Sequence, residues 1–140
     1  MRREPGPAGS RATGRGRILL VDDDRDLLSS LQDLLQPEGY EVATASEAQG
    51  ARQAAERFRP DVVLLDVKLG TANGIDLIPE LKRGRPDLAC VVLSAFAGPE
   101  HAVRAFRNGA DDCLRKPIDP ADLMRTLSRC RQHQRLERET

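Results

Sequence analysis

The sequence predicts an α/β fold, a doubly wound parallel sheet with helices on both faces, and three observations predict it. Short apolar runs that read as strands buried on both sides alternate with segments whose apolar residues recur at the 3.6-residue period of a helix. Glycine and proline punctuate the junctions between them. Two of the apolar runs stop abruptly on carboxylates, Ile18 to Val21 before Asp22, Asp23 and Asp24, and Val62 to Leu65 before Asp66. Right-handed crossovers between such units give a parallel sheet wound in both directions.

Taken in order, Met1 to Gly16 carries Arg, Gly and Pro with almost nothing apolar, the composition of a disordered tail. The first strand, Ile18 to Val21, leads into a helix that Asp24 can cap, with Leu27, Leu28, Leu31, Leu34 and Leu35 on one face. Pro37 and Gly39 end it. The second unit pairs a strand from Tyr40 to Ala45 with a helix opened by a Ser46 and Gln49 capping box. Its stripe of Ala48, Ala51, Ala54, Ala55 and Phe58 is mostly small, so this helix should lie close to the sheet, and Pro60 stops it. In the third unit the strand ends at Asp66 and a helix follows through Arg83. Pro79 lacks the amide that a helix begun at Gly74 would need, so the regular ladder is expected to start near Asp76, with Asp76 as cap and Gly70 to Ile75 mobile. The fourth unit has Ala89 to Leu93 as strand, then Ser94, and a helix opened by Gly98 and Pro99 and closed by Asn108 and Gly109. The fifth has Ala110 to Arg115 as strand, Lys116 and Pro117 as turn, and a helix capped by Asp119 with Pro120 at its first position.

Composition narrows the function. One hundred and forty residues fit one domain, with room for a tail at each end. A formal net charge of zero gives no pull toward nucleic acid or an anionic membrane. No apolar run approaches the roughly 20 residues of a membrane span, and the start lacks the apolar stretch of a secretion signal, so a cytoplasmic location is expected. Cys90, Cys113 and Cys130 are odd in number and widely spaced, which reads as reduced core cysteines and not as a disulfide or zinc framework.

The acidic strand ends carry the chemistry. Ligands in open α/β sheets collect at the carboxyl ends of the strands. Two parallel strands ending together would crowd Asp22, Asp23 and Asp66, and like charges that close repel unless a cation neutralises them. All-oxygen ligands suit Mg²⁺ better than zinc. A divalent cation beside a free carboxylate is apparatus for phosphoryl transfer.

From about residue 17 to residue 130 the chain resembles the receiver domain of bacterial two-component response regulators. The resemblance rests on Asp22 and Asp23 after the first strand, Asp66 after the third, a hydroxyl at Ser94 after the fourth, and Lys116 before Pro117 after the fifth. It implies a flavodoxin-like sheet of strand order 2-1-3-4-5, which sets the first and third strands side by side. It further implies that Asp66 is the phosphoacceptor, fed by a sensor histidine kinase or phosphotransfer protein, and that the domain is a signalling module, not an enzyme in its own right. Asp22, Asp23, Asp66 and the Lys68 backbone carbonyl would hold Mg²⁺. Lys116 would neutralise a phosphoryl oxygen, the Ser94 hydroxyl and the Ala95 amide would meet another, and Pro117 would follow a cis peptide.

Two departures from the family pattern stand out. The loop after Asp66 runs Lys68, Leu69, Gly70, Thr71, Ala72, Asn73, Gly74, keeping the length and final glycine but replacing the usual proline by Gly70, which is expected to loosen it. Cys113 stands where the family has Tyr or Phe. A haloacid-dehalogenase type of phosphohydrolase would want an Asp two residues after Asp66, where this chain has Lys68. A flavodoxin would want a Ser, Thr and Gly phosphate loop in place of Asp22 to Asp24. A receiver fold that only docks is the remaining alternative. His101 and His133 are expected on exposed helix faces, away from any phosphodonor role. Beyond Cys130, residues 131 to 140 stay helix-favouring but lose their apolar face. They are expected to form a helical extension that starts a linker to an output domain or supports a homodimer through the last helix.

Overall fold

A computed structural model of the chain describes residues 14–95 and 99–139, so the expectations for residues 1–13, for Gly98, for the exposure of His101 and for the end at Thr140 lie outside what is described. The elements run β1 Gly16–Val21, α1 Arg25–Leu35, β2 Tyr40–Ala45, α2 Ala48–Phe58, β3 Val62–Asp66, β4 Lys68–Leu69, β5 Ala72–Asn73, α3 Ile78–Arg83, β6 Ala89–Ser94, α4 Pro99–Arg107, β7 Asp112–Arg115 and α5 Pro120–Glu139. The main sheet has the order β2-β1-β3-β6-β7 with every neighbouring pair parallel. With the small β4–β5 ribbon set aside, this is the 2-1-3-4-5 order implied by the resemblance.

The alternation of side chains along the strands divides the core in two. Leu19, Val21, Val63, Leu65, Cys90 and Val92 face one way, against Ala51 of α2, Ile78 and Leu81 of α3 and Ala105 of α4. Ile18, Leu20, Leu64, Val91 and Leu93 face the other, against Leu28, Leu31 and Leu35 of α1 and Leu123 and Leu127 of α5. All five residues of β3 are buried because helices cover both of its faces. Each Leu, Val or Ile so buried contributes about 1.5–3 kcal/mol of transfer free energy.

Several local expectations need correction. Helix α2 is not opened by a Ser46 capping box. Glu47 is still extended, with φ −152°, and occupies the cap position without a side-chain cap bond. Gln49 therefore falls at the second helical position, one residue short of where it could reach back. Asp76 does not cap the third helix. The Asn73 Oδ1 accepts from the Ile75 amide at 2.9 Å, a 3₁₀ turn spans Gly74–Leu77, and the regular helix starts only at Ile78. Pro79 sits in its first turn, where a missing amide costs no helical bond.

The segment expected to be loose, Gly70 to Ile75, has regular structure, the turn and second strand of a short ribbon and the start of the 3₁₀ turn. Lys68 pairs with Asn73 and Leu69 with Ala72, antiparallel, around a two-residue turn. Gly70 takes φ +60° there, a left-handed conformation that proline, fixed near −65°, cannot adopt. The departure from the family's proline is thus what permits the hairpin. Finally, α5 does not lose its contacts after Cys130. Gln134 is 1% exposed, and its Nε2 donates to the carbonyls of Asp61 at 2.6 Å and Asp87 at 2.8 Å. Polar bonds to loop backbone replace the apolar face.

Candidate functional site

Strands β1, β3, β6 and β7 end at one pole of the sheet, and their register fixes what meets there. Val21 pairs with Leu65, and Asp66 pairs with Leu93, so Asp22, Asp66 and Ser94 close three adjacent strands. The oxygens of Asp22, Asp23 and Asp66 all lie within 4.8 Å of one another, the one cluster of three or more potential metal-ligating acids among the described residues. Asp22 is 1% and Asp66 8% exposed, while Asp23 faces solvent.

Lys116, just after β7, reaches two of these carboxylates. Its Nζ donates to Asp22 Oδ2 at 2.8 Å and stands 3.5 Å from Asp66 Oδ1. The Lys116–Pro117 peptide is cis, and the Lys116 amide donates to the Ser94 carbonyl at 2.8 Å. The cis peptide implied by the resemblance is present. Ser94 is buried at the end of β6, and Ala95 follows it exposed at the same pole.

Amides hold the carboxylates in place. Asp22 Oδ1 accepts from the Asp24 amide at 3.0 Å, Asp66 Oδ1 from the Lys68 amide at 3.3 Å, and Asp23 Oδ2 from the Gly70 amide at 3.2 Å. The β4–β5 ribbon therefore reaches over to Asp23. Asp24 also caps α1, accepting from the amides of Asp26 and Leu27.

The electrostatics follow from this packing. Burial, and next the charge of Asp22, push the Asp66 carboxyl above its ordinary range, against the pull of Lys116 and the Lys68 amide. For Lys116, burial disfavours the ammonium, yet the hydrogen bond to Asp22 and the charges of Asp66 and Asp22 outweigh it, and its pKa rises. One ammonium faces three carboxylates, so an excess of negative charge remains. The donor set is all oxygen, and this fits a hard divalent cation such as Mg²⁺ and not zinc.

Three features of the site are invisible in its side chains. The amides of Lys68 and Gly70 are two of them. The third is Gly74, where a Cβ would fall 1.9 Å from the Asp66 carbonyl oxygen. The Gly74 amide bonds the Val67 carbonyl at 2.6 Å, which folds the loop back against the strand end. The Asn73–Gly74 pair, seven and eight residues after Asp66, was the available signal, since such a pair marks a tight turn.

Residues 18–128 match the family model described as the response regulator receiver domain. The chain belongs to the response regulator receiver family. Receiver domains of this family serve two-component systems, pair with histidine kinases and generally bind Mg²⁺. The chain is 39% identical over 109 residues to the alginate biosynthesis transcriptional regulatory protein AlgB of Pseudomonas aeruginosa, covering 78% of this chain and 24% of that protein. It is 34% identical over 116 residues to the chemotaxis protein CheY of Thermotoga maritima, covering 81% of this chain and 95% of that one. A crystal structure of a CheY-like receiver domain protein from Methanospirillum hungatei superposes with a TM-score of 0.82 at 32% identity, over 86% of this chain and 97% of that one. The receiver thus spans about a quarter of the length of AlgB and nearly all of CheY. Among the described residues no helix is long and apolar enough to cross a membrane.

Proposed function

We propose that this receiver takes a phosphoryl group on Asp66 from a sensor histidine kinase or phosphotransfer protein and switches its surface in response. The observation that carries the reading is the cluster itself, three carboxylates within 4.8 Å of one another at a strand end with the Lys116 ammonium bridging Asp22 and Asp66. Asp22, Asp23, Asp66 and the Lys68 carbonyl would hold Mg²⁺. Bound there, the cation would offset the crowded carboxylates and the phosphoryl charge.

A carboxylate oxygen of Asp66 attacks the phosphorus of the phosphohistidine, the P–N bond breaks, and the imidazole leaves with the electron pair. The product is an acyl phosphate on Asp66. Lys116 then exchanges part of its bond to the carboxylates for a phosphoryl oxygen, and the Ser94 hydroxyl and Ala95 amide take another. These groups stabilise charge where it develops. Because Lys116 and Ser94 end β7 and β6, their movement would be felt along the face built from β6, α4, β7 and α5. Cys113 on β7 replaces the family's aromatic, so the response would run through Ser94 and Lys116 and not through a ring.

The phosphodonor would sit in a groove of about 660 Å³ that borders the site, with Leu27 and Leu34 of α1 on one side and Ile118 and Pro120 on the other. Lys116 lines the same groove, so a partner helix seated in it would present its histidine beside Asp66. The signal would then pass to an output domain following α5, or to a second copy through that helix.

Incubation with acetyl phosphate and Mg²⁺, read by intact mass, tests the reading. One phosphoryl group should be gained, and Asp66→Asn should gain none. No labelling of the natural sequence would leave a docking module that is never phosphorylated.

A further inference from the structure

At the opposite pole, where the strands begin, a cleft of about 520 Å³ opens between the start of β1, the start of β2 and the last half of α5. Arg15, Arg131 and Arg135 line it, with Tyr40, Ser128 and Gln132 supplying further polar groups and no carboxylate lining it among the described residues. The two outer arginines, Arg15 and Arg135, are exposed, and among the described residues neither guanidinium has an ion-pair or hydrogen-bond partner.

Arg131 is fixed in advance. Its Nε donates to the Arg15 carbonyl at 3.0 Å, one terminal nitrogen donates to Gln134 Oε1 at 2.8 Å, and the same nitrogen stands 3.4 Å from Asp61, which is 2% exposed. Gly16 makes room for it. A Cβ there would fall 2.9 Å from Arg131 Nε and 3.0 Å from Asp61, and the backbone has φ +135°. The Arg15 amide in turn bonds the Gly39 carbonyl at 3.0 Å, which ties that wall to the turn before Tyr40.

We infer that this cleft binds a phosphate group, free or carried on a small molecule. The forks of Arg15 and Arg135 can each give two parallel N–H bonds, and they line the cleft beside Arg131, whose charge is shared with Asp61; such a set suits the oxygens of a phosphate better than a single carboxylate. The volume lies within the range of small-molecule sites and exceeds what one inorganic ion fills. The hydroxyls of Tyr40 and Ser128 and the amide of Gln132 add neutral donors. This site is distinct from the Asp66 pole and stands whether or not Asp66 is phosphorylated.

The experiment uses the whole chain carrying Asp66→Asn, without divalent cation, so that the acidic pole cannot respond to phosphate. Amide NMR shifts are followed while inorganic phosphate, pyrophosphate or adenosine monophosphate is added at constant ionic strength against chloride. Saturating shifts confined to Gly14–Gly16, Tyr40 and Ser128–Arg135 are expected. Arg15→Gln with Arg135→Gln should weaken binding at least tenfold, while Arg52→Gln on α2 should leave it unchanged. Equal affinity for inorganic and organic phosphate assigns the free anion, and tenfold tighter binding of the monophosphate assigns a carried one. Shifts that chloride reproduces, that fail to saturate, or that survive the double substitution overturn the inference.

Discussion

Asp66 and Gly74 illustrate how much of the site rests on single atoms. Burial and the Asp22 charge raise the Asp66 pKa above its ordinary range, so ionising Asp66 costs the folded state stability when no cation is present. The sign follows by linkage. Stability from a raised carboxyl is complete below the unfolded pKa and is lost as pH rises through the folded value. At neutral pH without divalent cation, Asp66→Asn should therefore melt higher than the natural sequence, and the gap should close as pH falls through the Asp66 range. Mg²⁺ should raise the melting temperature of the natural sequence more than that of the variant. Calorimetry with and without Mg²⁺ between neutral and acidic pH reads all three. Gly74→Ala forces a methyl toward the Asp66 carbonyl and should cost about 1–3 kcal/mol, with slower labelling of Asp66 as the strand end shifts. Equal stability and equal labelling would show that the loop has slack that this packing denies. The acids, Ser94 and Lys116 were legible because each stands at the end of an apolar run or beside a proline. Gly74 was legible only as a retained glycine, since the carbonyl it must clear belongs to a residue that the chain brings back by folding.

At the scale of elements, the strands and the caps at Asp24 and Asp119 could be read because local pattern and local chemistry agree there. The β4–β5 ribbon could not, because two-residue strands are too short to show a period. The end of α5 misled for a different reason. A helix that loses its apolar stripe reads as solvated, yet Gln134 finds two backbone carbonyls, and Arg138 adds a bond from its Nε to Asp87 Oδ2 at 2.6 Å. Those acceptors belong to Asp61 and Asp87, in the loops before β3 and β6, which no helical periodicity can anticipate. Gln134→Leu keeps the volume and removes the donor, leaving the Asp87 carbonyl without that bond. It should cost about 1–3 kcal/mol and speed amide exchange over residues 131 to 139, leaving the rate of Asp66 labelling unchanged. Unaltered exchange there would mean that the arginines alone hold the helix end.

For the whole molecule, net neutrality hides two poles. The carboxyl ends of the strands collect Asp22, Asp23 and Asp66, and the amino ends collect Arg15, Arg131, Arg135 and Arg138, of which Arg131 and Arg138 pair with Asp61. The topology was legible because fully apolar strands separated by helices admit few arrangements. The basic pole was not, because its arginines come from the two ends of the described chain. The strand between the poles spans about 3.3 Å per residue, so substitutions in the basic cleft should leave phosphorylation at Asp66 at its natural rate. The central claim is that Asp66 itself becomes an acyl phosphate. Borohydride reduction after incubation with acetyl phosphate and Mg²⁺, followed by tandem mass spectrometry of the peptide containing Val62–Lys68, tests it most directly. Homoserine should appear at position 66, and omission of Mg²⁺ should abolish it. Homoserine at Asp22 or Asp23, or an unmodified Asp66 beside a phosphorylated protein, would contradict the assignment.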